Sequence, residues 1–116
     1  MHNFKELGVW KKSIDFCTDI YRITESFPSQ EKYGLISQIN RSCVSISSNI
    51  AEGAGRNGNG EFRQFLGYAL ASSFELETQL IIAKNIKYLT GQVFEELLLK
   101  LNEIQRMLVG LRKSIK

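Results

Sequence analysis

The sequence predicts an all-α protein, an antiparallel up-down four-helix bundle that forms a single domain over residues 1–116. Three observations lead to this prediction. Apolar residues recur at alternating steps of three and four, which is the helical period. The strongest breaks are the only proline, Pro28, and four of the nine glycines, which fall within residues 53–60. The composition, 43% hydrophobic and 23% charged, is typical of one compact domain.

The breaks and the period together place the four helices. We predict helices over residues 6–26, 30–52, 60–88 and 91–115, with Ser29 and Thr90 as N-caps of the second and fourth. The predicted core lines are Leu7, Trp10, Ile14, Cys17 and Tyr21 in the first helix; Ile36, Ile39, Cys43, Ile46 and Ile50 in the second; Phe62, Phe65, Leu66, Ala69, Ser73, Leu76, Leu80 and Ala83 in the third; and Phe94, Leu97, Leu101, Ile104, Leu108, Leu111 and Ile115 in the fourth.

Two of these helices are apolar over an arc wider than one core requires. The first helix carries a second apolar line about 120° from its core line, and the third helix carries one about 100° away. Self-association explains such arcs better than a wider monomer core with scattered exposed apolar residues, which remains the alternative. We therefore predict a homo-oligomer with these interface residues: Phe16, Ile20, Leu70, Phe74 and Ile81.

The segment from Gly53 to Gly58 reads GAGRNG and matches the G-x-G-x-x-G pattern of dinucleotide-binding loops. That pattern works only where a strand delivers the glycines to a helix within a βαβ unit. Apart from residues 44–47, no strand pattern occurs in the sequence. We therefore interpret the segment as a loop between two helices.

Residues for the commonest catalytic and metal sites are missing. The only histidine is His2, so the chain cannot assemble a Ser-His-Asp or Cys-His centre or a histidine-based metal site. Cys17 and Cys43 lie on predicted core lines, where a thiol usually acts as a small apolar group. We predict no enzymatic activity, no cofactor and no metal. Without an export signal or a membrane span, the chain is expected to be cytoplasmic, with reduced thiols.

Positive charge is concentrated near the end of the chain. The formal net charge is +3, and residues 100–116 hold five Lys/Arg against one acidic residue, Glu103. Arg106 and Lys113 lie one heptad apart, opposite the apolar line of the fourth helix. Such cations compensate the helix dipole and add solubility, and they are also candidates for contacting phosphates.

Three motifs resemble one known family, the four-helix-bundle proteins called S23 or 23S rRNA intervening-sequence proteins. They are Tyr33-Gly34-Leu35, the SNIAEG segment at 48–53 and the ELETQL segment at 75–80. The resemblance runs from Phe4 to about Leu89, and the remaining tail is similar only in pattern. It implies a four-helix protomer, a ring-shaped homopentamer and a gene type first noticed inside insertions in bacterial 23S rRNA genes.

The resemblance also implies contacts with RNA or another nucleic acid, and on the matching positions the candidate phosphate contacts are Arg41, Arg56 and Arg63. The family commonly has two basic residues where Asn40-Arg41 stand here, a proline at the position of Ser47, and a more basic loop than residues 57–60. We therefore expect a non-enzymatic oligomeric protein that binds nucleic acid through repeated basic surfaces. The alternative is a scaffold or accessory protein that binds a partner protein and has no nucleic-acid affinity. Neither requires a membrane.

Overall fold

Four α-helices account for most of the chain, and the computed structural model describes residues 2–116. The helices are α1 (Gly8–Thr24), α2 (Leu35–Ala54), α3 (Asn59–Asn85) and α4 (Gly91–Ser114). Short 3-10 helices at Phe4–Glu6 and Ser29–Glu31 precede α1 and α2. No strand occurs within residues 2–116, so the predicted all-α class with four helices is confirmed.

The start of α2 differs from the prediction. Ser29 begins a 3-10 turn and does not cap α2, which starts at Leu35 after Gly34. Glu31 takes over part of the capping, because its carboxylate Oε1 accepts a hydrogen bond from the Leu35 N–H at 3.2 Å. The predicted cap of α4 is confirmed, since the Thr90 hydroxyl accepts from the Val93 N–H at 3.1 Å.

The helices pack in chain order, and the contact between α2 and α3 is the most extensive. Ser42 donates to Glu75 at 2.6 Å, and the hydroxyls of Ser45 and Ser72 lie 2.9 Å apart, so later residues of α2 meet earlier residues of α3. Two ion pairs join α1 to α4, from Lys12 to Glu103 at 3.0 Å and from Lys100 to Asp19 at 3.2 Å. The molecule measures 43 × 24 × 20 Å.

Close approach of α2 and α3 depends on Gly53. A Cβ placed on Gly53 would lie 2.6 Å from the Cβ of Phe65 and 3.0 Å from a ring carbon of Phe62. Because glycine carries only a hydrogen at this position, the backbone of α2 packs directly against the side chains of Phe65 and Phe62. The same glycine closes the SNIAEG segment.

The buried residues of α1 lie on its second apolar line, which the sequence predicted to face another copy of the chain. Val9, Phe16 and Ile20 are buried, whereas Ile14 and Tyr21 of the predicted core line are exposed. The polar residues that interrupt the buried line do not prevent this, because each hydroxyl bonds to its own helix. Ser13 donates to the carbonyl of Val9 at 2.7 Å, and Thr24 donates to the carbonyl of Tyr21 at 3.1 Å.

This placement corrects two of the five predicted interface residues. Phe16 is 2% exposed and Ile20 is 0% exposed, so neither offers surface to a second copy of the chain. Both belong to the core that the four helices share. The two apolar lines of α1 are equally regular in sequence, and only the packing of the other helices decides which one turns inward.

Candidate nucleic-acid interface

The five predicted nucleic-acid-binding residues fall in three separate places. Arg56 and Arg63 lie at the same end of the molecule, where α2 is joined to α3, but Arg56 contacts Glu61 and Phe65 while Arg63 contacts the end of α4. Arg106 and Lys113 line a groove between α3 and α4. Arg41 is exposed in the second turn of α2, and the helix rises about 20 Å from Arg41 to its end at Ala54, just before Arg56. The structure therefore brings Arg106 and Lys113 to one groove, places Arg56 and Arg63 at one end of the molecule, and leaves Arg41 by itself.

Arg56 is positioned by the loop between α2 and α3. Its guanidinium lies 4.8 Å from the centre of the Phe65 ring and 3.8 Å from the carboxylate of Glu61. Both side chains of this ion pair are about half exposed, so solvent screens the attraction. Arg56 is therefore oriented by the aromatic face and keeps most of its donors toward solvent.

Arg63 and Arg112 tie the first turns of α3 to the end of α4. Arg63 donates from Nη1 to the carbonyl of Ile115 at 3.1 Å, and Arg112 donates from Nε to the carbonyl of Arg63 at 3.1 Å. The Arg112 guanidinium lies over Gly67, where an added Cβ would be 3.2 Å from its Nη2. These bonds hold both guanidinium groups in place while leaving their other N–H groups available.

We call the set Arg56, Arg63, Arg112 and Lys116 the basic end. Lys116 joins it through its main chain, whose carbonyl accepts a hydrogen bond from the side-chain amide of Asn59 at 3.1 Å. In the sequence, Arg112 and Lys116 are recognisable only as members of the basic segment at residues 100–116. The signal that relates Arg112 to Arg63 is Gly67, whose missing side chain makes room for a guanidinium.

The first turn of α3 adds a further positive potential to the basic end. Its N-cap is Gly58, and no side chain caps the helix there. The first N–H groups of a helix have no partner within the helix, and the helix dipole places partial positive charge at this point. An anion at the start of α3 would therefore meet a helix N-terminus with guanidinium groups on either side, and Glu61 is the opposing charge.

The groove between α3 and α4 combines cations with apolar side chains. Arg106 and Lys113 line it together with Leu70, Phe74 and Val109. Phe74 is 53% exposed and Leu70 is half-buried. Two residues predicted for nucleic acid thus share one surface with two residues predicted for self-association.

Ile81 extends the exposed apolar surface of α3 and is 41% exposed. Leu70, Phe74 and Ile81 therefore remain available at the surface, in contrast to Phe16 and Ile20. Glu77 lies between Phe74 and Ile81 along α3 and is half-buried, with its carboxylate accepting from Gln105 at 2.9 Å. Other large apolar side chains are exposed outside the predicted set: Ile14, Tyr21, Tyr33, Val44, Tyr68, Ile82, Ile86, Leu99 and Val109.

The histidine, cysteine and acidic side chains within the described residues do not form a metal centre. Within residues 2–116, no group of three or more histidine, cysteine, aspartate or glutamate side chains could hold a metal ion. Over the same range, no helix combines the length and apolar character needed to cross a bilayer. Cys43 is buried as predicted, whereas Cys17 is only half-buried, with one side toward solvent.

The sequence of the chain matches the model of one known protein family. A family model described as "23S rRNA-intervening sequence protein" matches residues 5–110. The chain belongs to this family. The match includes all of α1, α2 and α3 and most of α4, and it extends the sequence resemblance beyond Leu89 into the tail.

A solved member of the S23 ribosomal protein family from Bacteroides thetaiotaomicron VPI-5482, described as a protein with unknown function, shares this fold. Its TM-score is 0.84 at 27% sequence identity, over 90% of this chain and 95% of that one. No curated protein gives a significant match.

Proposed function

We propose that this member of the 23S rRNA-intervening sequence protein family is a non-enzymatic, oligomeric binding protein that contacts RNA or another nucleic acid through repeated basic surfaces. The protomer is an antiparallel up-down four-helix bundle, as the cross-helix bonds between α2 and α3 support. Its copies assemble into a ring-like homo-oligomer, with a pentamer as the form that the family resemblance implies.

The observation that carries the nucleic-acid proposal is the basic end. Three guanidinium groups, from Arg56, Arg63 and Arg112, lie at one end of the molecule beside the uncapped start of α3. Guanidinium groups and helix N-termini are both common ligands of phosphate oxygens. Two of the three guanidinium groups are held by main-chain carbonyls, so little side-chain freedom is lost when a phosphate binds.

Self-association multiplies these contacts. The exposed side chains of Phe74 and Ile81, with half-buried Leu70, form an apolar surface on α3 that a second copy would cover. Each added protomer brings another basic end and another +3 of formal charge. Many weak phosphate contacts on one particle bind more tightly than the same contacts on separate chains.

A protein-binding scaffold is the second candidate, and the groove between α3 and α4 favours it. Phe74 and Leu70 sit beside Arg106 and Lys113 in that groove, and an apolar floor with a cationic rim suits an acidic amphipathic helix. In this alternative the cations select a protein partner, and RNA affinity is absent.

The decisive experiment compares RNA binding by matched variants. We expect Arg56→Gln/Arg63→Gln/Arg112→Gln to lose about tenfold or more in affinity for single-stranded and duplex RNA at low salt, because three phosphate contacts are removed. Glutamine keeps amide donors for the main-chain carbonyls. The control Lys11→Gln/Arg22→Gln/Lys32→Gln removes the same charge from exposed positions elsewhere and should bind nearly as well as the parent.

Binding is also expected to be largely independent of RNA sequence, because contacts with phosphates do not distinguish the bases. Equal affinity of the two triple variants would contradict the role of the basic end. Absence of measurable RNA binding by the parent at low salt would favour the protein-scaffold alternative.

A further inference from the structure

The apolar line of α1 that was predicted to face the core lies at the surface of the protein. Ile14 and Tyr21 are exposed, and Trp10 and Cys17 of the same line are half-buried. We call these four residues the α1 strip. Tyr21 lines a shallow groove together with Ile36 of α2, so the strip lies on the side of α1 that is next to α2.

A second strip of the same kind lies on α3. Phe74 and Ile81 are exposed, and Leu70 and Glu77 of the same line are half-buried. We call these four residues the α3 strip. Leu70 and Phe74 line the groove with Val109 of α4, so this strip lies on the side of α3 that is next to α4.

The two strips have the same spacing. Positions 10, 14, 17 and 21 on α1 and positions 70, 74, 77 and 81 on α3 both advance by four, three and four residues. This is the spacing of the seam by which one helix packs against another in a coiled coil. In each strip the two most exposed side chains lie seven residues apart, about 10.5 Å along the helix. The side chains of one strip are therefore spaced to pack between those of the other.

The two strips lie on opposite faces of the molecule. The helices α1 and α2, α2 and α3, and α3 and α4 pack against each other, and α4 returns to α1 through two ion pairs. The face formed by α1 and α2 is therefore opposite the face formed by α3 and α4. The strips of one chain cannot cover each other, but the α3 strip of one copy can cover the α1 strip of the next.

We propose that this head-to-tail contact, α3 strip on α1 strip, is the interface between copies of the chain. The inference rests on the proposed self-association and names the surface that covers Phe74 and Ile81. Every copy then uses both of its strips, and a repeated head-to-tail contact closes into a ring when the rotation between copies allows it. A two-fold contact between two α3 strips would instead leave the α1 strip of both copies uncovered.

The charges around the strips favour the same pairing. Arg106 and Lys113 line the groove beside the α3 strip, so a contact between two α3 strips would bring four cations into one interface. Like charges brought together at an interface cost free energy. The α1 strip itself contains no charged residue, and the groove beside Tyr21 is lined by one acid and one base, Glu25 and Lys32. The cations of the α3 side therefore meet a surface without excess positive charge.

The size of a bundle face also suits a stable interface. The molecule measures 43 × 24 × 20 Å, so one long face offers about 900 Å². A standard interface between two proteins buries about 800 Å² on each partner. Contact through one full face of each copy is therefore sufficient for a stable assembly.

The test mixes two variants, each with one strip disabled. Ile14→Glu/Tyr21→Glu disables the α1 strip and Phe74→Glu/Ile81→Glu disables the α3 strip, and because all four side chains are exposed, both chains are expected to fold. Each variant alone should be a 13.2 kDa monomer in light scattering. An equal mixture at about 0.1 mM, far above the Kd of a standard interface, should form a dimer with one copy of each variant, because one intact strip of each kind remains.

The outcomes separate this pairing from self-association in general. The control Tyr33→Glu/Leu99→Glu changes two exposed apolar side chains outside both strips and should assemble like the parent. With an assembled parent, an α1-strip variant that assembles equally well would overturn the inference, and so would two monomeric variants whose mixture stays monomeric. A monomeric parent would instead overturn the proposed self-association as a whole.

A photo-cross-link tests the pairing without added charges. The photoreactive amino acid p-benzoylphenylalanine at position 74 replaces one exposed aromatic ring with another. Irradiation of the assembled protein, followed by peptide mapping, should link position 74 to residues 10–21 of a second chain. Links to residues 70–81 of a second chain would show that α3 pairs with itself, and links to any other segment would equally overturn the inference.

Discussion

Lys87 occupies a backbone conformation that glycine normally provides. Its φ is 70°, in the left-handed region, at the turn that ends α3. The N–H of Lys87 bonds to the carbonyl of Lys84 at 2.9 Å, and the N–H of Tyr88 bonds to the carbonyl of Ala83 at 2.9 Å. This pattern closes the end of a helix and requires positive φ at its centre. It ends α3 at Asn85, before the predicted boundary at residue 88.

We expect Lys87→Gly to stabilise the protein by about 0.5–1 kcal/mol, because glycine adopts this conformation without the steric cost that a Cβ brings. Urea unfolding of the two chains measures the difference. Lys87→Ala keeps the Cβ and controls for loss of the charge, so it should resemble the parent. A less stable glycine variant would show that flexibility of the unfolded chain outweighs the relief of strain.

Tyr88 connects the same turn to the start of α2. Its hydroxyl donates to Oε2 of Glu31 at 2.9 Å, and this bond to a carboxylate raises the pKa of Tyr88 above its usual value. The bond stabilises the fold fully below the unfolded-state pKa of about 10, and that contribution disappears as the pH rises through the higher folded-state pKa.

The stability advantage of the parent over Tyr88→Phe should therefore be constant near neutral pH and shrink in strongly alkaline solution. Unfolding in urea at several pH values measures it. Optical titration should also show that Tyr88 ionises above the usual tyrosine pKa. If Tyr88→Phe and the parent lose stability in parallel up to the highest pH, the bond to Glu31 does not persist in solution.

At the scale of helices, α2 and α3 form the tightest pair, and Gly53 is the residue that permits it. A methyl group at this position would overlap Phe65 and Phe62. We expect Gly53→Ala to destabilise the protein by about 1–3 kcal/mol despite the better helix propensity of alanine. Denaturant unfolding tests this against Gly91→Ala, whose added Cβ meets nothing within 4 Å.

The control should be neutral or slightly stabilising, because it gains helix propensity without a contact to oppose it. Similar effects of Gly53→Ala and Gly91→Ala would mean that α2 and α3 can separate slightly at no cost. Such a result would leave the glycine of the SNIAEG segment without a packing role.

The number and class of the helices could be predicted because period and breaks are local properties of the sequence. Which apolar line of α1 faces the core could not be predicted. The line that contains Val9, Phe16 and Ile20 is as apolar as the line that contains Ile14 and Tyr21. The packing of the other helices selects the first line, and its burial is tolerated because Ser13 and Thr24 satisfy their hydroxyls within the helix. The pairing of Arg63 with Arg112 was equally hidden, because it joins residues 49 positions apart through a main-chain carbonyl.

For the whole molecule, the burial of Phe16 and Ile20 determines which substitutions can test self-association. Phe16→Glu would place a charge in the core and unfold the protomer, so it says nothing about an interface. Phe74→Glu changes an exposed ring on α3, and we expect a folded chain that shifts toward smaller species in light scattering. Leu99→Glu, at an exposed site on α4 outside the groove, is the matched control.

The parent is expected to scatter light as an oligomer at micromolar concentration, and the Leu99→Glu control is expected to do the same. A parent that stays a 13.2 kDa monomer would contradict self-association. A Phe74→Glu chain that assembles as well as the parent would move the interface away from α3.

We propose that assembly combines many weak phosphate contacts into a measurable affinity for RNA. The most direct test of this proposal is the affinity for single-stranded RNA across a salt series, measured for the parent and for Phe74→Gln, which removes the apolar ring without changing any charge. We predict that Phe74→Gln forms smaller species, binds RNA at least about tenfold more weakly at low salt, and shows a shallower dependence on salt, because fewer basic ends engage each RNA. Equal affinity and equal salt dependence of a dissociated Phe74→Gln chain and the assembled parent would contradict the claim.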